Sequence, residues 1–276
     1  MNAPLRLLAI LAHPDDETLG MGGTLVRYGS EGIETSLICA TRGQAGRFRE
    51  LKRGDAGHPG PDALGAIREQ ELHAAAKVLG VREVVLLDHM DGKLDEADPG
   101  RATAEIASHV RRLKPHVVVT FAQDGGYGHP DHIAICQLAS AAIVAAADAT
   151  RADVAGAPHA VSKFYLMAWP ESHWAAYQEA FKKLTSTVDG IERQAKPWLD
   201  WELSARIDTR AHWPTVWQAV QCYDSQTANY GTLASLSPAN HEGLWGWGTF
   251  YRVFSTVNGG RMLEDDLFAG LRVTSS

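Results

Sequence analysis

The chain has 276 residues, of which 45% are hydrophobic and 21% are charged, and its formal net charge is −7. This length and composition allow a sizeable buried core and are not typical of an intrinsically disordered protein. The acidic balance argues against a general nucleic-acid binder, which is normally basic.

The three cysteines lie far apart at positions 39, 136 and 222, and no CxxC pair occurs. This usage favours reduced thiols over a disulfide framework or an all-cysteine zinc site. The apolar stretch at residues 5–12 is too short for a membrane span and runs straight into charged residues, unlike a signal peptide. We therefore predict a cytoplasmic protein with no membrane or nucleic-acid partner, and we leave a homo-oligomer open.

Strands alternate with helices through the first 168 residues. Nearly continuous apolar runs predict buried strands at residues 5–12, 35–40, 83–87, 116–121 and 161–168. Helical patterns fall between them at residues 18–29, 64–79, 102–113 and 130–148, and a Gly- and Pro-rich loop covers 47–63. This alternation predicts an α/β fold, with a Rossmann-like, mostly parallel sheet and helices on both faces.

The composition changes after residue 168, because all eight tryptophans lie between positions 169 and 247. Helical stretches are predicted near residues 175–186 and 209–223, and a strand at 250–256. We interpret residues 1–168 as the catalytic domain with a metal site. Residues 169–276 form a smaller Trp-rich subdomain that packs on the sheet and shapes a substrate cleft, with one or two tryptophans lining it.

Two polar segments follow predicted strands one and four. The first is Ala-His-Pro-Asp-Asp-Glu at residues 12–17, and the second is Gly-Gly-Tyr-Gly-His-Pro-Asp-His at residues 125–132. Ligands of open α/β sheets bind at the carboxyl ends of the strands, at the switch point of the strand order. Strands one and four flank that point in the common doubly wound order, so we expect the two segments to meet.

The residue types in these segments suit a metal. His13, Asp16 and His132 supply two imidazoles and a carboxylate, which with water in a fourth position is the pattern of a catalytic zinc site. Asp15 is left free to act as a base, and His129 stands opposite. Either segment alone could be a turn or a helix cap; the presence of both at strand ends favours the metal site.

The glycines at positions 20, 22 and 23 form GxGG and not the GxGxxG of dinucleotide-binding proteins. This spacing favours close helix packing over nucleotide binding. A non-catalytic nucleotide-binding Rossmann protein nevertheless stays open as a function of a different class.

The motifs resemble those of the LmbE-like, or PIG-L-type, N-acetylglucosaminyl deacetylases over roughly residues 5–168. The resemblance rests on AHPDDETLGMGGTL, LGAIREQELHAAAKVLGV, Asp91-Gly92, LKPHVVVTF and GGYGHPDH. The last stretch is especially similar to the bacterial branch that acts on precursors of low-molecular-weight thiols, which are glucosamine conjugates of inositol or malate. The resemblance implies a zinc-dependent hydrolase that removes acetate from an N-acetylglucosamine conjugate. An amidase acting on a thiol S-conjugate or another acylated amino sugar is the alternative within this class.

The resemblance also implies roles for individual residues. The expected cofactor is one Zn²⁺ per chain, with Fe²⁺ as an alternative, and the expected ligands are His13, Asp16 and His132. Around the metal, the resemblance makes Asp15 the general base and His129 the group that stabilises the oxyanion, with Asp131 as the partner that orients His129. It makes Tyr127 a residue that polarises the carbonyl. Arg68 and Asp91 are expected to contact the sugar.

Overall fold

A computed structural model describes residues 4–181, 185–188, 190–230 and 232–272. Its strands are β1 (Arg6–Leu11), β2 (Glu34–Thr41), β3 (Glu83–His89), β4 (Val117–Thr120), β5 (Lys163–Met167), β6 (Thr185–Val188), β7 (Ile191–Gln194), β8 (Ala205–Asp208) and β9 (Trp247–Ser255). Its helices are α1 (Asp16–Ser30), α2 (Pro61–Val78), α3 (Pro99–Leu113), the one-turn α4 (Gly125–Gly128), α5 (Pro130–Ala147), α6 (Glu171–Phe181), α7 (Trp213–Val220) and α8 (Pro238–Trp245).

Seven strands form one sheet in the order β3-β2-β1-β4-β5-β9-β8. The first five are parallel to one another, whereas β9 is antiparallel to both β5 and β8. The helices α1 and α2 pack with α7 on one face, and α3 and α5 pack together on the other. The predicted α/β class with a mostly parallel sheet is confirmed.

The central strands are apolar throughout because helices cover both faces. In β1, residues Leu7 to Leu11 are at most 1% exposed. The strand order reverses direction between β1 and β4, which are hydrogen-bonded neighbours. The loops that follow these two strands therefore leave the sheet side by side, as the sequence predicts.

The second part of the chain completes the sheet, since β9 pairs with β5 and β8 pairs with β9. The division at residues 168 and 169 stays a prediction. The helix predicted at 175–186 was wrong at both ends: α6 begins at Glu171 and ends at Phe181, and residues 185 and 186 belong to β6. Residues 182–184 of that prediction lie outside the described residues. The β-branched residues of β6 suit its antiparallel hairpin with β7.

The glycines of α1 allow the second part of the chain to approach closely. A Cβ atom on Gly22 would lie 2.8 Å from Val216 in α7, and one on Gly23 would lie 2.8 Å from Thr209. Real Cβ atoms do not come this close to their neighbours, so these positions require glycine. The GxGG segment thus serves helix packing, in accord with the interpretation of its spacing.

The helix α5 is long and apolar enough to cross a membrane by length and composition, with 18 residues and a mean hydropathy of 1.3. It packs against α3, β1 and β4. In addition, 61% of it is buried inside the protein. These contacts are typical of a core helix in an α/β fold.

Candidate active site

The segments that follow β1 and β4 meet at the carboxyl edge of the sheet. His13 Nδ1 lies 3.2 Å from His132 Nε2, although 119 positions separate the two residues in the chain. The start of α1 at Asp16 and the start of α5 at Pro130 bring the two segments to the same point. Phe121, just after β4, stacks on the His132 ring with a centroid distance of 3.8 Å. This edge of the sheet is the candidate site.

The hydrogen-bond partners of the two imidazoles determine which nitrogen carries the proton. His132 Nδ1 lies 3.1 Å from the Gly125 carbonyl oxygen, and His13 Nε2 lies 3.0 Å from Asp131 Oδ2 and 3.1 Å from Asp91 Oδ1. A carbonyl or carboxylate oxygen only accepts, so these two nitrogens carry the hydrogens. In the neutral rings, His13 Nδ1 and His132 Nε2 therefore turn lone pairs toward each other.

Asp16 adds a carboxylate to this pair. Its Oδ2 lies 3.6 Å from His13 Nδ1, and its Oδ1 lies 3.5 Å from His132 Nε2. Four ligands at zinc distances of 2.0–2.1 Å stand about 3.3–3.4 Å from one another in a tetrahedron. The 3.2 Å between the two nitrogens is close to that separation, and each nitrogen has one of the two Asp16 oxygens at 3.5 or 3.6 Å. The donor set therefore fits a divalent cation.

The electrostatics of the three side chains agree with this fit. Burial lowers the pKa of His132 to about 3, so its ring is neutral. Burial would raise the pKa of Asp16, but the neighbouring His132 and His13 outweigh it and bring that pKa to about 2. Burial would likewise lower the pKa of His13, but hydrogen bonds that its ring donates to the Asp131, Asp16 and Asp91 carboxylates raise this pKa well above its ordinary value. The pKa shifts therefore favour a positive charge near His13 Nδ1 and His132 Nε2.

His129 is close to the pair but is oriented differently. It is the N-cap of α5, and its Nδ1 accepts a hydrogen bond of 3.2 Å from the Asp131 backbone N–H. In the neutral ring its Nε2 therefore carries the hydrogen. Burial lowers the pKa of His129, which keeps the ring neutral. His129 thus offers the cavity a hydrogen-bond donor, whereas His13 and His132 offer lone pairs.

The Asp131 carboxylate lies behind His13 and not behind His129, where the resemblance had put it. Its Oδ2 accepts from His13 Nε2 at 3.0 Å and from the Gly92 N–H at 2.7 Å, and its Oδ1 accepts from the Leu94 N–H at 3.0 Å. The two backbone donors after β3 hold the carboxylate on that side. Only the backbone of Asp131 reaches His129. Such a carboxylate–histidine pair orients a metal-binding imidazole.

Asp15 is held beside the pair in a strained conformation. Its φ is 101°, in the left-handed region, which costs a residue with a side chain about 1–3 kcal/mol. The carboxylate Oδ2 accepts from Arg68 Nη2 at 3.0 Å and from the Tyr230 hydroxyl at 2.9 Å. Burial raises the pKa of Asp15 to about 6, against the lowering effect of Arg68. Both of these hydrogen bonds are made to Oδ2, and neither involves Oδ1.

The sequence of the chain matches the family described as PIG-L: GlcNAc-PI de-N-acetylase over residues 8–143. The 1D-myo-inositol 2-acetamido-2-deoxy-alpha-D-glucopyranoside deacetylase of Geodermatophilus obscurus is 36% identical over 299 residues, covering 98% of this chain and 99% of that protein. The chain belongs to the PIG-L family. The resemblance seen in the motifs is thereby confirmed.

Solved structures show that the fold of this PIG-L family member is shared by proteins with different reactions. The N,N'-diacetylchitobiose deacetylase of Pyrococcus horikoshii is 18% identical, covers 90% of this chain and 83% of its own, and has a TM-score of 0.63. The 4-carboxy-2-hydroxymuconate hydratase GalB of Pseudomonas putida is 19% identical, covers 93% and 99%, and has a TM-score of 0.67. At these identities the likeness shows the fold alone.

A cavity of about 560 Å³ opens onto the site of this PIG-L chain. Part of its lining, the polar wall, includes Asp15, Arg68, Asp91, Gln226 and Tyr230, and another part is aromatic. The volume lies within the range of small-molecule sites. The cavity therefore joins the candidate metal ligands to a polar and an apolar surface.

The structure places both predicted sugar contacts in the polar wall. Arg68 is 4% exposed and donates to the Gly43 and Pro14 carbonyl oxygens as well as to Asp15, but its Nε finds no hydrogen-bond partner among the described residues. Asp91 Oδ2 accepts from the Ala45 N–H at 2.9 Å, and Oδ1 contacts His13. The sugar-binding role of these two residues stays a prediction.

Tyr127 lies in the glycine-rich turn between β4 and α5. Gly126 has a φ of 74°, and a Cβ atom on it would come within 2.9 Å of the Trp169 ring. The Tyr127 ring stands edge-on to His132 and His129, with centroid distances of 5.4 and 5.8 Å. Burial raises its pKa, so the hydroxyl keeps its proton. The turn thus places a phenol beside the candidate site.

Sequence reasoning missed several residues around the site. Tyr230 lies in a polar stretch without a motif, and only the fold brings it to Asp15. Glu17 belongs to the first motif, and its Oε1 accepts from the Tyr223 hydroxyl at 2.6 Å. Burial raises the pKa of Glu17 to about 8. The spacing of Trp174, Tyr177 and Phe181 would have marked one face of a helix, but not what that face covers.

Proposed function

We propose that the chain is a zinc-dependent deacetylase that hydrolyses the acetamide of an N-acetylglucosamine–inositol conjugate. The observation that carries the proposal is the convergence of His13 Nδ1, His132 Nε2 and the Asp16 carboxylate at mutual distances of 3.2–3.6 Å, with lone pairs facing lone pairs. Such a set favours a positive charge between its donor atoms. A carboxylate and an N–H donor stand beside it, as amide hydrolysis requires.

His13, Asp16 and His132 would hold the metal. When bound there, a zinc ion supplies Lewis-acid activation of water and of the amide carbonyl. His13 is fixed for this task by Asp131 and Asp91, and His132 by the Gly125 carbonyl. These outer partners set the tautomers that turn a lone pair from each ring toward the site.

Asp15 acts as the general base in this proposal. Arg68 and Tyr230 both bind Oδ2, so that Oδ1 is free to accept a proton from the attacking water. The same carboxyl group can then return this proton to the amine that leaves. The left-handed backbone at Asp15 places the carboxylate at this point, next to Asp16 but turned to a different partner.

His129 stabilises the negative charge that develops on the carbonyl oxygen. Its Nε2–H is directed to the cavity because its Nδ1 is occupied by the Asp131 backbone N–H. A preorganised donor of this kind is usually a large part of the catalytic effect in acyl transfer. Tyr127 lies beside His129 and can donate to the same oxygen.

The substrate assignment draws on the relatives and on the polar wall. The Geodermatophilus relative is named for an acetamido sugar joined to inositol. Arg68 and Asp91 both line the cavity, where a guanidinium and a carboxylate suit sugar hydroxyl groups. We assign these two residues to the sugar ring that carries the acetamide.

Metal analysis combined with acetate release tests the proposal. The purified protein should contain about one zinc per chain and release acetate from the N-acetylglucosamine–inositol conjugate, and a chelator should abolish both. The His13→Ala/His132→Ala variant should lose metal and activity, whereas the control His73→Ala, at an exposed position of α2, should keep both. Acetate release by the metal-free double variant would refute the proposal.

A further inference from the structure

The aromatic wall of the cavity is not used by the proposed mechanism. We define it by Trp169, Trp174, Tyr177 and Phe181, all of which line the cavity. The last three come from α6, where spacings of three and four residues place them on one helix face. A helix therefore presents a row of half-buried rings to the cavity.

Two rings of the wall are nearly parallel, and the other two are turned away from them. Trp174 and Tyr177 are nearly parallel, with an interplanar angle of 13° and a centroid distance of 6.3 Å. Trp169 stands edge-on to Tyr177 at 5.8 Å, and the two side chains are hydrogen-bonded to each other. The Trp169 indole N–H can only donate, so the Tyr177 hydroxyl accepts it and keeps its own O–H for another acceptor. The faces of the rings make up most of the surface that these side chains offer a ligand.

Among the described residues, ring contacts join the wall to the candidate metal ligands only through Phe121. His132 is in contact with Phe121 at 3.8 Å, Phe121 with Trp169 at 6.4 Å, and only then does the chain of rings reach Tyr177 and Trp174. The acetamide nitrogen is bonded directly to the sugar ring, so the sugar that reacts must remain near His13 and His132.

We propose that the aromatic wall is a subsite for a second ring, a saccharide or cyclitol joined to the acetamido sugar, whose C–H face stacks on Trp174 and Tyr177. The inference rests on the proposed function, in which the second ring is the group joined to the acetamido sugar. Ring hydroxyl groups lie around the rim of such a ring and its C–H groups lie on its faces. The electron-rich faces of aromatic rings attract these C–H groups.

The subsite is tested by removing the Trp174 ring from the wall and, separately, the second ring from the substrate. We compare Trp174→Ala with wild type on the N-acetylglucosamine–inositol conjugate and on free N-acetylglucosamine, using zinc-loaded protein in each case. For the conjugate, kcat/KM should fall roughly 5- to 15-fold, mainly through KM, and for the single sugar it should stay within about twofold. Trp174→Phe should recover part of the loss, because it keeps a ring at the position. The control Trp201→Ala removes an indole that is 77% exposed and outside the cavity, and it should change neither substrate.

Other outcomes overturn the inference. Equal losses on both substrates would make Trp174 a general structural support. A loss that appears only with longer N-acyl groups on the single sugar would assign the wall to the acyl side. If wild type releases acetate from neither compound, the proposed function fails, and calorimetric binding of the intact conjugate to wild type and Trp174→Ala still decides on the subsite. Equal affinities in that measurement would refute it.

Discussion

Replacing Asp131 with Asn should weaken metal binding without removing any proposed ligand. Asp131 Oδ2 accepts from His13 Nε2 and from the Gly92 N–H, at 3.0 and 2.7 Å, and Oδ1 accepts from the Leu94 N–H at 3.0 Å. An asparagine has one acceptor and one donor group at these positions. In either orientation its NH₂ group meets at least one N–H, so the side chain cannot hold His13 as the carboxylate does.

The expected loss of metal affinity depends on the hydrogen-bond partners that His13 keeps in the variant. Loss of an outer partner of a metal-binding histidine costs about 10- to 100-fold in metal affinity, or about 1.4–2.7 kcal/mol. Asp91 Oδ1 lies 3.1 Å from the same His13 Nε2 and still accepts its hydrogen in the variant. We therefore expect a value near the lower end, about 10-fold.

Competition with a chromogenic chelator measures this affinity directly. Asp98→Asn is a matched control, because Asp98 caps α3 at an exposed position and asparagine serves equally well there. The alternative, in which Asp131 supports His129, predicts full metal affinity and a loss of turnover alone. That result would refute the arrangement described for His13.

Three further outcomes are expected. Asp15→Asn should retain the metal but lose about 10²- to 10⁴-fold in turnover, whereas Asp16→Asn should lose the metal, as metal analysis and acetate release will show. Tyr230→Phe removes a donor from the Asp15 carboxylate, so the pKa of Asp15 rises and the acidic limb of the pH–rate profile should move to higher pH; an unchanged limb would count against this contact. Glu264→Ala leaves the buried Lys163 ammonium without its 2.7 Å partner and should lower the free energy of unfolding by about 3–5 kcal/mol in chemical denaturation, far more than a surface substitution.

The sequence was most informative where local spacing determines geometry. His13 follows β1 directly, and His132 lies in the first turn of α5 after Pro130, so strand ends and a helix start define where both side chains go. The adjacency of β1 and β4 follows from the strand order of doubly wound sheets. These local and topological rules were enough to bring the two motifs together.

Contacts between distant parts of the chain were beyond such reasoning. The resemblance implied that Asp131 orients His129, but two backbone donors after β3 hold the carboxylate beside His13. Tyr230 reaches Asp15 across 215 positions from a stretch without periodicity. The end of α6 was misjudged because helical and strand patterns are hard to separate over short runs.

The separation of 119 positions between His13 and His132 has a consequence for the life of the chain in the cell. An unfolded chain does not hold these imidazoles together, so a metal held by both acts as a reversible cross-link that favours the folded form. By mass action, free metal at 100 times its dissociation constant would add about 2.7 kcal/mol to stability. Metal starvation would then do more than stop turnover: it would raise the unfolded fraction and, with it, exposure to proteases.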